Sequence, residues 1–178
     1  MADQENKKRR GRRAYLEDFH KTATGDYVYE GATHPYPAQK LSRRQALARL
    51  WTAAAAMAAL ALLGGCLPAA GMQNTFYVIL PWAAGLISAG AVVWLMCRLS
   101  AGGDPLRDYV YTATVQRFGQ RGVAVTVCAG LTLTGELLCL ALQGPGERLP
   151  GSLALLASQG LLLAAGLWWL HFTRRLKW

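Results

Sequence analysis

Carboxylates are scarce where this chain is most apolar. Of its ten Asp and Glu residues, nine lie outside every long hydrophobic run, and Glu136 alone lies inside one. Histidine is rare as well: His20, His34 and His171 are far apart along the chain, and no spacing among them suggests a metal site. The four cysteines (Cys66, Cys97, Cys128, Cys139) are too scattered for a disulfide framework or a zinc knuckle, although Cys66 and Cys139 are placed where they could meet. No serine, cysteine or histidine sits in a nucleophile motif, and no phosphate-binding glycine loop occurs. These absences argue against an enzyme, and no cofactor or metal is expected. An Asn-x-Ser/Thr acceptor is also missing, which with the short connections favours a bacterial cytoplasmic membrane.

What the chain has instead is four apolar blocks: Ala46 to Leu67, Thr75 to Cys97, Gly122 to Leu142 and Ser152 to Phe172. Each holds 21 to 23 residues, so as a helix each is about 31 to 35 Å long, enough for a hydrocarbon core of about 30 Å. Backbone groups in lipid must be satisfied within the segment, so the blocks must be helical. The connections leave no room for a soluble domain between them. The fold class expected is all-α, an integral membrane four-helix bundle made of two transmembrane hairpins. Residues 1–41 form an arm and residues 42–178 the four-span domain, with a longer loop at 98–121 between the hairpins.

The net charge of +9 could suggest nucleic acid, but its distribution points to the bilayer. Eighteen of the nineteen Lys and Arg residues fall in the arm, at the start of the first block, between the second and third, or after the fourth; Arg148 is the exception. By the positive-inside rule both termini are expected in the cytoplasm and the two short turns outside. Trp51, Trp94, Trp168 and Trp169 then fall at the inner boundary, Phe76 and Tyr77 at the outer one. In the arm, Lys7, Lys8, Arg9, Arg10, Arg12 and Arg13 cluster around Gly11 and read as a topology determinant resting on anionic lipid. Nothing interleaves aromatic residues with that cluster as single-strand binders need, so no nucleic-acid partner is expected.

The arm also carries Tyr15, Phe19, Tyr27, Tyr29 and Tyr36, more aromatics than disordered tails usually hold. Ala14 to Lys21 can form a short helix, Thr24-Gly25-Asp26 reads as a turn and Tyr27-Val28-Tyr29 is extended-prone. Three placements are open to it: the protein's own cytoplasmic face, a partner, or the lipid headgroups. The tetrapeptide Asp-Tyr-Val-Tyr occurs at 26–29 and again at 108–111, and its differing flanks speak for coincidence rather than a repeat.

Ser42 with Gln45 is a capping-box pattern that starts the first helix near Arg43, and Pro68 ends it. Leu63-Gly64-Gly65-Cys66 imitates a lipoprotein cleavage site, but over forty residues precede the apolar run. Pro81 frees the carbonyl of Tyr77. Gly85 with Ala89, and Gly160 with Ala164, form small-residue pairs suited to helix contact. Asp104-Pro105 reads as a helix opening, with Leu106, Tyr109, Val110, Ala113 and Phe118 along one side, so the connecting loop is expected to form an amphipathic helix in the inner interface.

An ionisable residue inside a span marks a candidate site by default. Projected at about 100° per residue, Val125, Cys128, Ala129, Thr132, Gly135, Cys139 and Gln143 share the side of Glu136, opposite Val127, Leu131, Leu138 and Ala141. Glu136 lies six residues from the outer boundary, about 9 Å at the helical rise. The same counting brings Gln159, Ser158, Trp82 and the Tyr77 carbonyl to that depth. The layer reads either as a structural hydrogen-bond knot, Glu136 bonded to Gln159, or as a proton- or cation-coupled site of an oligomeric small transporter. With no motif to decide, the leading expectation is a non-enzymatic accessory or scaffold component of a membrane complex. It would engage a membrane-protein partner, or copies of itself, through the arm.

Overall fold

The computed structural model describes residues 19–21, 26–35, 42–73, 75–144 and 146–176. It is mostly helical. The helices are α1 (Arg43–Cys66), α2 (Phe76–Ala101), α3 (Asp108–Ala113), α4 (Phe118–Gln143) and α5 (Leu149–Arg175). Four short strands accompany them: β1 (Phe19–Lys21), β2 (Tyr27–Tyr29), β3 (Thr33–His34) and β4 (Leu106–Arg107). All four long helices are long and apolar enough to cross a membrane.

α1 begins three residues before its apolar block because its start is capped. At α1, Ser42 Oγ accepts from the Gln45 amide and Gln45 Oε1 accepts from the Ser42 amide, both at 3.3 Å, so the capping box forms and fixes the start. The helix stops at Cys66, two residues before Pro68. Gly144 closes α4 with φ 75°, a backbone region open to glycine, its amide donating to Leu140 at 3.0 Å.

The four long helices form a closed ring in which α2 and α5 each pack against both α1 and α4. Its core runs through Leu50, Ala54, Met57, Val92, Met96, Val125, Ala129, Leu162 and Trp169. The alanine-rich α1 contributes as well: Ala54 and Met57 are fully buried and Ala61 nearly so. Without a strong hydrophobic drive between helices in lipid, close approach at small residues supplies the packing. A Cβ on Gly85 would lie 3.2 Å from Cys128 Cβ, and Ala89 beside it on α2 is buried. The pair Gly160 and Ala164 is not used this way. Gly160 has open space where a Cβ would be and Ala164 is exposed; Gly166, against Thr126, makes the close α5–α4 contact instead.

The connection between α2 and α4 departs from the amphipathic helix that its sequence suggests. Leu106–Arg107 is a strand, α3 covers only six residues, and a 3-10 turn at Val115–Arg117 leads into α4. Leu106, Val110 and Phe118 are buried in the main core rather than laid along a lipid surface. The reason is a long-range pairing: β3 lies antiparallel to β4, with Thr33 opposite Arg107 and His34 opposite Leu106. The Asp104–Pro105 peptide is cis, and the helix opens at Asp108 instead of Pro105.

The arm likewise forms strand where a helix over Ala14 to Lys21 was expected. β1 pairs antiparallel with β2, Phe19 opposite Tyr29 and Lys21 opposite Tyr27, as cross-strand aromatic and β-branched pairs favour. The rest of that expected helix lies outside the described residues, as does most of the expected turn, residues 24 and 25. The arm and the α2–α4 connection thus meet at one end of the bundle, the arm end. The turns between α1 and α2 and between α4 and α5 form the other, the turn end.

Candidate functional site

Two side-chain groupings stand out. The first is at the turn end. α4 presents Val125, Ala129, Thr132, Gly135, Glu136 and Cys139 inward, all buried, and Val127, Leu131 and Leu138 outward, all exposed. The projected face of Glu136 is therefore the packed face. Glu136 has no exposed surface, yet its partner is not the one that depth counting suggests.

The segment after α1 folds back into the bundle. Ala69 is fully buried, and a Cβ on Gly151 would sit 2.5 Å from the Pro68 carbonyl oxygen, so α5 accepts this segment at a glycine. The Ala70 amide donates to Ser152 Oγ at 3.0 Å, and the Gly71 amide donates to Glu136, 3.1 Å to Oε2 and 3.4 Å to Oε1. A Cβ on Gly71 would collide with the Glu136 carboxylate. Arg148 donates to the side-chain oxygen of Gln73 above. Internal bonds, Met72 to Ala69 and Gln73 to Ala70, close residues 69–73 into one compact turn.

Gln159 and Trp82, the expected neighbours of Glu136, meet somewhere else. Where a Cβ on Gly64 would be, Gln159 Nε2 is 2.7 Å away and Trp82 Nε1 3.3 Å away. The Trp82 indole donates to the Ala61 carbonyl at 2.9 Å and its ring fills the space beside Gly65. The Gly64-Gly65 pair inside the apparent cleavage motif is thus a seat for Gln159 and Trp82. Gln159 is buried, and its Nε2 has no hydrogen-bond partner among the described residues. Ser158, also buried, donates to Leu155 in its own helix. Tyr77 is exposed. Its Pro81-freed carbonyl lies 2.9 Å from where a Cβ on Gly135 would be, so it meets α4 at a glycine. The expected single layer is two: Glu136 with Gly71 and Ser152, and Gln159 with Trp82 and Gly64. Gly71 and Ser152 escape counting along helices, although the uncharged, small run Pro68-Ala69-Ala70-Gly71 signals a turn able to enter an apolar interior. All four cysteines are free thiols, so Cys66, which is exposed, and Cys139, which is buried, are not joined.

The second grouping is at the arm end. His34 Nε2 lies 2.9 Å from Asp108 Oδ1, and its ring stacks on Tyr111 with centroids 4.1 Å apart. The Asp108 amide donates to the Ala32 carbonyl at 3.0 Å. Arg107 lies over the Phe19 and Tyr29 rings at 5.7 and 5.4 Å, and Tyr29 meets Tyr109 edge-on at 6.1 Å. The two Asp-Tyr-Val-Tyr copies therefore touch. The β1–β2 hairpin leaves Tyr27 and Val28 exposed. The basic cluster Lys7, Lys8, Arg9, Arg10, Arg12 and Arg13 lies outside the described residues. No group of three His, Cys, Asp or Glu side chains able to hold a metal ion occurs among the described residues.

Neither grouping is an arrangement of nucleophile, base and oxyanion donors. No protein family, curated protein or solved structure matches this chain.

Proposed function

We propose that this multi-pass chain is a non-enzymatic accessory or scaffold component of a membrane complex, working through its basic, aromatic arm. The reading places it in a cell membrane with both termini in the cytoplasm, on the strength of the charge distribution. The observation that carries it is the assembly of the arm on the α2–α4 connection. There β3 pairs with β4, His34 bonds Asp108, and a hairpin exposes Tyr27 and Val28. A segment held in place while showing aromatic and β-branched surface suits contact with a protein partner, and the adjoining lysines and arginines suit anionic lipid. Glu136, in contrast, accepts from the protein's own backbone, the Gly71 amide.

The test is recovery of cross-linked partners by the full chain, by a chain lacking residues 1–40, and by Glu136→Gln. Recovery is expected to be lost in the second and kept in the third. Equal recovery without the arm would overturn the proposal. The complete burial of Glu136 favours a second reading, an oligomeric small transporter using it as a proton- or cation-coupled site. That reading requires Glu136→Gln to abolish proton-coupled flux in vesicles, and unchanged flux would sink it.

A further inference from the structure

The turn at residues 67–73 differs from an ordinary surface connection in three ways. It enters the bundle far enough for Ala69 to be fully buried against Val78 and Leu155, it is closed internally by its own backbone bonds, and its hydrogen bonds to the helices and the α4–α5 turn, among the described residues, come from three side chains. Those attachments are Ser152 to the Ala70 amide, Glu136 to the Gly71 amide, and Arg148 to Gln73. Beside it, towards the α4–α5 turn, lies a cavity of about 390 Å³ lined in part by Ala70, Gln73, Leu140, Glu147 and Arg148. A segment closed by its own backbone bonds, with three side-chain hydrogen bonds to break and a cavity beside it, has the means to move as a unit.

We infer that residues 67–73 are a strap that closes the turn end over Glu136, and that its swing into the adjoining cavity admits water to the acid. Closed, the carboxylate faces a backbone N–H and is cut off from solvent. Open, it loses that donor and is hydrated, so proton exchange between Glu136 and bulk water passes through the strap. Gly71 is the pivot of the latch because only an absent side chain lets its amide reach the carboxylate. Cys139, fully buried one turn beyond Glu136 towards the turn end and on the same face, reports the opening, since a thiol there reacts only when water-borne reagent arrives. The inference is independent of the partner-binding role of the arm, which lies at the other end of the bundle.

The experiment uses the full chain in nanodiscs, which leave both membrane faces accessible, with Cys66, Cys97 and Cys128 replaced by alanine. Amide exchange of the peptide spanning 67–75 is followed by mass spectrometry, alongside modification of Cys139 by a small charged methanethiosulfonate. Ser152→Ala removes one tether, and Arg148→Ala, at an exposed residue, removes another without touching the core. Each is expected to raise both rates together, by about fivefold for a lost hydrogen bond, while exchange within the long helices stays unchanged. The inference is overturned by exchange that rises while Cys139 modification does not, for then the turn frays without uncovering the interior. It is overturned too by rates that do not change, or by acceleration that spreads through all the helices, for then the tethers hold the bundle rather than a strap.

Discussion

Glu136 and Gln159 lie in neighbouring helices, both buried, and their substitution has opposite consequences. Removing the carboxylate with Glu136→Leu strands the Gly71 amide in an apolar interior, which costs about 1–3 kcal/mol. Gln159 already carries an unmet Nε2 donor, and replacing a poorly satisfied polar group by an apolar one of similar shape is neutral or stabilising. Thermal unfolding in nanodiscs is therefore expected to show a lower midpoint for Glu136→Leu and an equal or higher one for Gln159→Leu. A comparable loss in both would restore the direct Glu136–Gln159 knot. Gly71→Ala forces a methyl into the carboxylate and is expected to destabilise by about 1–3 kcal/mol, as overpacking does, measured by the same midpoint. At this scale the facing of α4 was legible in the sequence, since the 100° projection separates its buried from its exposed residues. The partner of Glu136 was not. Depth counting treats the spans as rods between two planes and gives a turn no depth, so a backbone amide entering from the turn could not be counted.

Among the elements, β3 and β4 decide what the arm does. Their pairing joins residues more than seventy positions apart, and nothing in local periodicity forecasts such a contact. That is why the connecting segment reads as a longer helix than α3. Its apolar positions, Leu106, Val110 and Phe118, read as the lipid-facing side of an interfacial helix but are buried in the main core, Leu106 reaching it from a strand. The capping box at Ser42 was legible because a cap is a four-residue signal. The latch of the arm is weak by the usual measure of partly exposed ion pairs, at most about 1 kcal/mol, with His34 and Asp108 side chains 34% and 50% exposed. Asp108→Ala is therefore expected to leave the thermal midpoint nearly unchanged while speeding tryptic cleavage after Lys21. Unchanged cleavage would mean that the β3–β4 pairing and the Tyr111 stack hold the arm without the pair.

For the whole molecule, four spans would put both termini on one side, and the proposal that this side is cytoplasmic rests on the distribution of basic residues. A fluorescent protein fused after Trp178 is expected to fluoresce, while alkaline phosphatase is expected to be active when inserted at Gly146 and inactive at the C-terminus. The reverse pattern would invert the orientation and place the Glu136 end of the bundle in the cytoplasm. The closed ring of four helices explains why so few polar contacts suffice between them. Close approach at Gly85, Gly122 and Gly166 supplies dispersion contacts across three of the helices.

The β3–β4 pairing also carries a consequence for synthesis. His34 cannot find its partner strand until Leu106 has been made, and at about 5–20 residues per second that takes roughly 4–14 seconds. Throughout that interval α1 and α2 enter the bilayer with the arm undocked. Under the proposed orientation, its lysines and arginines would act during that interval to hold the amino terminus on one side. Only afterwards can β3 pair with the finished loop, so under the proposed orientation the same segment would serve first as ballast during insertion and then as a docked part of the mature face.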